Sequence, residues 1–525
     1  MTIYFDYNAT TPLDPQVRAA MLPFLDEVWG NPSSVHHIGR RARALLDDAR
    51  DRTAAVLGCK GSEVVFTSGG TESSNLAVFG TARLLREKGR HLITSSVEHH
   101  AVLHCFDYLE RKEGFSVTRL PVDATGRVSV DDLRRALRPD TTLVSVMAAN
   151  NETGTLQPVA ELGALCRERG VLFHTDAVQW FGKEPFANIH QFNADLVSIC
   201  AHKFHGPKGA GALYLRSPLL PDPVAFGGAH ENERRAGTEN LPAIIGFTDA
   251  LERFVRTPGF ERTHLAHLTE RLLTTVDGIE GAHFRGSREH RLANTVSFTV
   301  EGTDSIALMA VLDLEGVCAS SGSACAAGSL EPSHVMLAMG APAAEANALV
   351  RFSLGRESTA SEVDAVCALL PRVLRQVRRA PAPFLGGGEQ VAAGRMRGGA
   401  TNADARNPTP RPSPLLRGRE REPERSATLP GADAKFIGSM EPRPCPTQRP
   451  TTMPPPLMFK VGCTPLMTVS GVPWRRKVMG LDVVVPSGSY AAPPKRPMSL
   501  RVPSRSFSQA KVGPALMQGE PTASL

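Results

Sequence analysis

The stretch 194–215, ADLVSICAHKFHGPKGAGALYL, constrains the fold more than any other part of the chain. Leu196–Cys200 is a short apolar run of strand length with β-branched content, and Ala210–Leu215 is a second. Between them stand Ala-His-Lys and the turn residues Gly206, Pro207, Gly209 and Gly211. The chain is therefore expected to leave one buried strand, turn tightly and return, holding Lys203 at the mouth of the turn. A lysine so placed is partly desolvated, which disfavours its ammonium form, and His202 would add to that if protonated. Lys203 is then an available amine nucleophile, as a Schiff base requires. The other reading of the same residues is a surface lysine at a hairpin tip.

Upstream, turn signals surround one helical stretch, Gln16 to Val28, and an amphipathic pattern through Leu45, Leu46, Ala49, Val56 and Leu57 ends at Gly58. A short strand, Glu63–Thr67, runs into SGGTES (68–73) and a helical pattern from Asn75 to Lys88. A Gly-rich turn opening a helix with Thr71 and Glu72 can hold an anion on free N–H groups. No Walker lysine is present, so a nucleoside triphosphate is not implied. A plain capped helix fits the residues too.

From Arg90 to Arg216 strand-like runs alternate with helical segments, as in an α/β sheet. The expected strands are His91–Ser95, Ser116–Leu120, Thr142–Met147, Val171–Thr175, Leu196–Cys200 and Ala210–Leu215. Open α/β sheets bind ligands beyond the C-terminal ends of their strands. The loops there carry Glu98-His99-His100, Asn150-Asn151-Glu152, and Asp176 with Gln179. Between Asp176 and Lys203 there is room for one helix and one strand, so the carboxylate is expected beside the amine. A buried carboxylate is costly unless paired. A pyridinium nitrogen would pair it, and a lysine Schiff base with an acidic partner marks pyridoxal-phosphate sites. An aspartate capping the next helix is the alternative.

Residues 217–240 form a Pro- and Gly-rich polar segment, either disordered or one in which Arg234, Arg235 and Thr238 complete an anion site. From Leu241 to Arg378, helical patterns frame strands at Asn294–Val300 and Val350–Leu354, a second, smaller α/β domain. Cys325, flanked by small residues ahead of a helix whose first turn carries Glu331 and Pro332, is a candidate nucleophilic thiol; a bland loop cysteine is the other reading. Arg351 sits in an apolar strand-like run where a ligand carboxylate would satisfy it bidentately; an internal salt bridge is the alternative. After Arg379 the chain turns Pro-, Arg-, Ser- and Gly-rich without a sustained period, and residues 380–525 are expected to be a disordered basic tail.

At 525 residues and 42% hydrophobic content the chain can bury a large core and form two or more domains. The net charge of +6 comes with no basic stripe threaded by aromatics in the first 380 residues, so no nucleic-acid partner is implied. No apolar run is long enough to span a bilayer and the N-terminus lacks signal-peptide character, pointing to a soluble cytoplasmic protein with no membrane partner. Nine scattered cysteines without a CxxC pair read as reduced thiols rather than a disulfide framework or zinc site.

Taken together, YFDYNATTPLDP, GNPSS, FTSGGTESSN, EHHAV, NNETG, HTDAVQ, AHKFHGPKGAGALY, RRAGTEN, SSGSAC…SLEPSHV and RFSLGR make residues 1–379 resemble the cysteine desulfurases of the nitrogen-fixation and iron–sulfur-assembly type. These are class-V aminotransferases of pyridoxal-phosphate fold type I. The resemblance implies a large cofactor-binding domain with a mostly parallel central sheet (1–255, its first fifteen or so residues packing with the small domain) and a smaller α/β domain carrying the cysteine loop (256–379). It implies a homodimer that uses pyridoxal 5′-phosphate to convert L-cysteine to L-alanine. Sulfur is kept as a persulfide on Cys325 for an iron–sulfur scaffold or another acceptor protein. In that scheme Lys203 is the Schiff-base lysine and His99 stacks on the ring and helps move protons. Asp176 pairs the ring nitrogen and Gln179 the ring oxygen. Gly70, Thr71 and His202 hold the phosphate with Thr238 of the other subunit, and Asn151 and Arg351 grip ring and substrate carboxylate. No permanent metal site is implied, the Cys325 persulfide only bridging transiently to a nascent cluster. Cys200 departs from the family's usual serine, and its thiol is a weaker donor to the phosphate. The same scaffold also serves aminotransferases and selenocysteine lyases, and a non-catalytic sulfur-assembly scaffold is a further alternative.

Overall fold

A computed structural model describes residues 2–322 and 331–379; Cys325 and the 380–525 tail fall outside the described residues. Seven strands form the main sheet: β2 (Val64–Thr67), β3 (His91–Ser95), β4 (Ser116–Leu120), β5 (Thr141–Ser145), β6 (Leu172–Asp176), β7 (Leu196–Cys200) and β8 (Gly211–Leu215), following β1 (Ile3–Tyr4) in the chain. Their order across the sheet is β2-β8-β7-β6-β5-β3-β4. Only β8 runs against its neighbours, pairing Val64 with Tyr214 on one side and Leu196 with Leu215 on the other. That reversal is the expected tight return after Lys203.

The strands other than the edge strand β4 are buried along nearly their whole length because both faces of the sheet are covered. Successive residues point to opposite sides: Phe66, Ile93, Val144 and Tyr214 enter one buried cluster, while their neighbours Val65, Leu92, Leu143 and Leu213 enter another. The first cluster includes the helices His37–Leu57 and Leu241–Phe254. Gly58 closes the earlier of these at φ 70°, a left-handed cap that glycine takes without a Cβ penalty.

A second sheet joins β9 (Ala282–Phe284), β10 (Thr295–Val300) and β12 (Leu349–Ser353) antiparallel, with β10 central. Its core takes Val296 and Phe298 with Leu268, Leu308 and Leu370 from three helices, and also Ile3, Phe5 and Tyr7 of the N-terminal segment. β1 pairs in parallel with β11 (Val317–Cys318), and the Tyr7 N–H donates to Ser353 O, so the N-terminus crosses this sheet before reaching Asn8.

Several expectations shift. The helix expected over Gln16–Val28 is two helices, Pro15–Met21 and Pro23–Asp26; Pro23 has no N–H to continue the first and opens the second. The pattern expected from Asn75 to Lys88 starts earlier, at Gly70, passes through a π turn over Leu76–Gly80 and ends at Leu85. Val146 and Met147 lie beyond β5, and Asp176 is the last residue of its strand rather than part of the following loop. Glu331 and Pro332 precede the helix His334–Ala338, which Ser333 caps.

Candidate active site

β6 and β7 lie side by side and end together, so Asp176 and the Cys200-Ala201-His202-Lys203 turn open into one pocket. The helix beginning at Gly70, the His99 loop after β3, the Asn151 loop after β5, and Arg351 from β12 complete its wall. Gly70, Thr71, His99, Asn151, Asp176, Gln179, Cys200, His202, Lys203 and Arg351 are thereby brought together. Thr238 lies elsewhere in the chain, beside Phe24, Trp29 and Asn31.

The Lys203 Nζ donates to the backbone carbonyls of Asn8 and Ala9, both at 2.8 Å. Burial, reinforced by the Lys203 charge, pushes the His202 imidazole down to about 3, so it stays neutral. The expectation that a protonated His202 would add to the desolvation of Lys203 is corrected: the lysine's charge suppresses the histidine's. Asp176 is buried, and burial lifts its carboxyl to about 6 against the opposing pull of Lys203. Its Oδ1 also accepts the Val178 N–H at 3.0 Å, so capping of the next turn and membership of the pocket coexist in one residue.

His99 is driven down to about 4 by burial and by Lys203. Its Nδ1 accepts the Ala101 N–H at 3.1 Å, which sets the neutral tautomer with hydrogen on Nε2. Arg351, 1% exposed, donates from Nη2 to Asp6 Oδ1 and from Nη1 to Asn151 O, each at 2.7 Å. The internal ion pair is thus real, while the guanidinium still lines the pocket and its buried Nε–H has no protein partner among the described residues. Arg234 and Arg235 do not complete the anion site. Arg234 donates to Ser62 O and Glu231 O, and Arg235 pairs with Glu72 at 2.6 Å.

The donor set suits pyridoxal phosphate. A Cβ on Gly70 would lie 2.7 Å from Val178 Cγ2, so the chain can come this close beside Cys200 only as glycine. Backbone N–H groups of Gly70 and His202 turn toward the Cys200 thiol, which burial keeps in its neutral form. A phosphate would find N–H donors at this end, and a ring nitrogen would find the Asp176 carboxyl at the other. One aldehyde-reactive amine lies between them.

Sequence reasoning passed over Asn8, the hub of the site. Its backbone carbonyl accepts from Gln179 Nε2 as well as Lys203, its Oδ1 accepts from Lys183 and Asn294, and its Nδ2 donates to Thr295 Oγ1. The signal was a polar Asp-Tyr-Asn among aromatics in YFDYNATT, a segment too short to carry a period. Lys183, buried, was missed as well, and Glu98, named with its loop, was given no role there although it too is buried.

Residues 3–366 match the Aminotransferase class-V family, the class to which this sheet and pocket belong. The chain is 46% identical over 377 residues to cysteine desulfurase IscS of Dictyoglomus turgidum (strain DSM 6724 / Z-1310), an alignment spanning 72% of this chain and 95% of that protein. It is 46% identical over 378 residues to cysteine desulfurase IscS of Methanosarcina thermophila, covering 72% and 93%. Among solved structures a NifS-like protein superposes with TM-score 0.67 at 36% identity, over 72% of this chain and all of the other. SspA in complex with cysteine superposes at TM-score 0.60 and 36% identity, over 68% of this chain and all of that one. Within the class, the chain belongs to the cysteine desulfurases.

Proposed function

We propose that this pocket takes L-cysteine to L-alanine with pyridoxal 5′-phosphate and hands the sulfur to Cys325. The observation that carries the reading is the convergence of Lys203, Asp176, His99 and Arg351 on one cleft from four separate segments. Lys203 would hold the cofactor covalently, Asp176 its ring nitrogen, Gln179 its ring oxygen and His99 its face. Gly70, Thr71, Cys200 and His202 would hold the phosphate, joined by Thr238 of a second subunit in a homodimer. When bound, pyridoxal phosphate supplies an electron sink for the bond-breaking steps.

Arg351 and Asn151 receive the substrate carboxylate, the buried Nε–H being the donor without a protein partner. Lys203, released from the Asn8 and Ala9 carbonyls, removes the proton at the substrate Cα. His99, neutral with hydrogen on Nε2, donates at the reacting face. The Cys325 thiolate then attacks the substrate sulfur. The carbon–sulfur bond breaks as the new sulfur–sulfur bond forms, Cβ takes a proton, Lys203 returns a proton to Cα, and the products are alanine and a Cys325 persulfide. Both flanks of the Cys325 segment support this. Ser320 pairs with Arg351 through two backbone hydrogen bonds, Gly322 packs on Glu152, and Ser333 Oγ donates to the same Glu152 at 2.6 Å, one residue from Asn151. Only Ser323 and Ala324 separate Gly322 from Cys325, three Cα-to-Cα steps with a reach of about 10 Å.

On this reading residues 1–255 carry the cofactor and 256–379 the thiol, and the sulfur goes to a cytoplasmic acceptor protein for iron–sulfur assembly. The test is anaerobic incubation of the purified protein with L-cysteine. Alanine forms with wild type, whereas Cys325→Ser keeps the cofactor's yellow colour but releases no sulfur; absence of alanine from cofactor-loaded wild type refutes the proposal.

A further inference from the structure

Lys183 is a second buried amine beside the pocket, 2% exposed, and nothing in the chemistry above employs it. It follows Gln179 by one turn of chain. Its Nζ donates to Asn8 Oδ1 at 2.7 Å and to Gln179 Oε1, and it sits 5.4 Å from the centre of the Phe260 ring. As an ammonium a lysine has donors only, so each amide it touches must turn its oxygen toward it. For Gln179 this leaves the NH2 facing Asn8 O, at 2.9 Å, in a residue that lines the pocket. For Asn8 it leaves the NH2 facing Thr295 Oγ1 at 2.9 Å and Asn151 O at 3.4 Å. The carbonyl of Asn8 that receives Gln179 is the one that receives Lys203. Burial, with Lys203 and Arg351 nearby, holds the Lys183 amine well below its ordinary range, while Glu184 opposes.

We propose that Lys183 is a positioning residue: by donating to Asn8 and Gln179 together it forbids both amides from flipping, so that Gln179 presents N–H, never C=O, to the cofactor's ring oxygen. This deepens the pyridoxal-phosphate reading and rests on it. An N–H aimed at the ring oxygen stabilises its anionic form, which makes the neighbouring proton on Lys203 Nζ easier to lose. Without Lys183 the Gln179 amide is free to turn its oxygen inward, and that proton is held more tightly.

The experiment titrates the visible absorbance of the cofactor-loaded protein against pH for wild type, Lys183→Met, Gln179→Leu and the double variant, with cofactor affinity measured by fluorescence. Lys183→Met is expected to raise the absorbance midpoint by about one pH unit and to weaken cofactor binding about tenfold, the size of one well-placed hydrogen bond. Gln179→Leu should move the midpoint in the same direction, and the double variant no further than Gln179→Leu alone. Lys183→Gln, which keeps N–H donors, should fall between wild type and Lys183→Met, and it carries the test should the Met variant not fold. A lowered melting temperature with an unmoved midpoint would make Lys183 a structural lysine and overturn the proposal, as would full additivity in the double variant. An unmoved midpoint in Gln179→Leu alone refutes the ring-oxygen contact itself, separately from Lys183.

Discussion

Glu98 is a carboxyl that the fold holds in its protonated form, and its removal has a calculable signature. It is wholly buried; Oε1 accepts from Ser95 Oγ at 2.5 Å and from the Met147 N–H at 2.9 Å, while Oε2 has no partner among the described residues. Burial, with a smaller push from Asp176, raises it from 4.5 to about 8. Between those values the folded chain keeps a proton that the unfolded chain has released. The stability this proton contributes is complete below pH 4.5 and is lost as pH rises through about 8. The slope is ~1.4 kcal/mol per pH unit, or about 3 kcal/mol between pH 5.5 and 7.5. Glu98→Gln keeps the Oε1 acceptor and cannot titrate. Its unpaired amide hydrogens cost roughly 1–3 kcal/mol at every pH. Urea unfolding of both proteins at the two pH values gives the difference directly, and Asp176, common to both, largely cancels. The variant should be the weaker protein at pH 5.5 and gain about 3 kcal/mol relative to wild type by pH 7.5. A difference that stays constant with pH would refute the assignment of a neutral Glu98.

Cys200→Ser restores a hydroxyl beside the Gly70 and His202 N–H groups and should tighten cofactor binding by roughly two- to tenfold, the worth of one neutral hydrogen bond, in a fluorescence titration of cofactor-free protein. Asp6→Ala leaves the 1%-exposed Arg351 without its carboxylate; unfolding should show a loss of about 3 kcal/mol, and KM for L-cysteine should rise as the arginine loses its orientation. Gly322→Ala puts a Cβ 2.7 Å from Leu349 Cδ2 and 2.9 Å from Glu152 Oε2 at φ +105°. Sulfur release should fall at least tenfold while the cofactor's absorbance persists, since the pocket itself is not lined by Gly322.

Much of this site was legible because strand ends announce themselves. Leu196–Cys200 and the glycines after Lys203 fixed a hairpin mouth, and the apolar runs read as ending at Ser95, Met147 and Thr175, within two residues of the strand ends at Ser95, Ser145 and Asp176, set their polar loops on the same sheet edge. What stayed hidden depends on long-range contact. Nothing local to YFDYNATT says that Asn8 meets Thr295, Asn294, Lys183 and Lys203, residues 175 to 287 positions away along the chain that the sheets bring to it. The β1–β11 pair of two residues each is too short for periodicity. Arg351 illustrates a third limit: an apolar run flags a buried guanidinium, but only the fold reveals that Asp6 and the Asn151 carbonyl already hold two of its nitrogens.

The central claim is that substrate sulfur leaves carbon for the thiol of Cys325 while Lys203 works at the α-carbon. The direct measurement is one exposure of cofactor-loaded protein to L-cysteine without added thiol, followed by alanine assay and mass spectrometry of the peptide containing Cys325. The account predicts about one alanine per active site and a gain of one sulfur atom on that cysteine, with neither in Lys203→Ala. Alanine formed with the added sulfur on another residue, or undiminished alanine formation by Lys203→Ala, would contradict it.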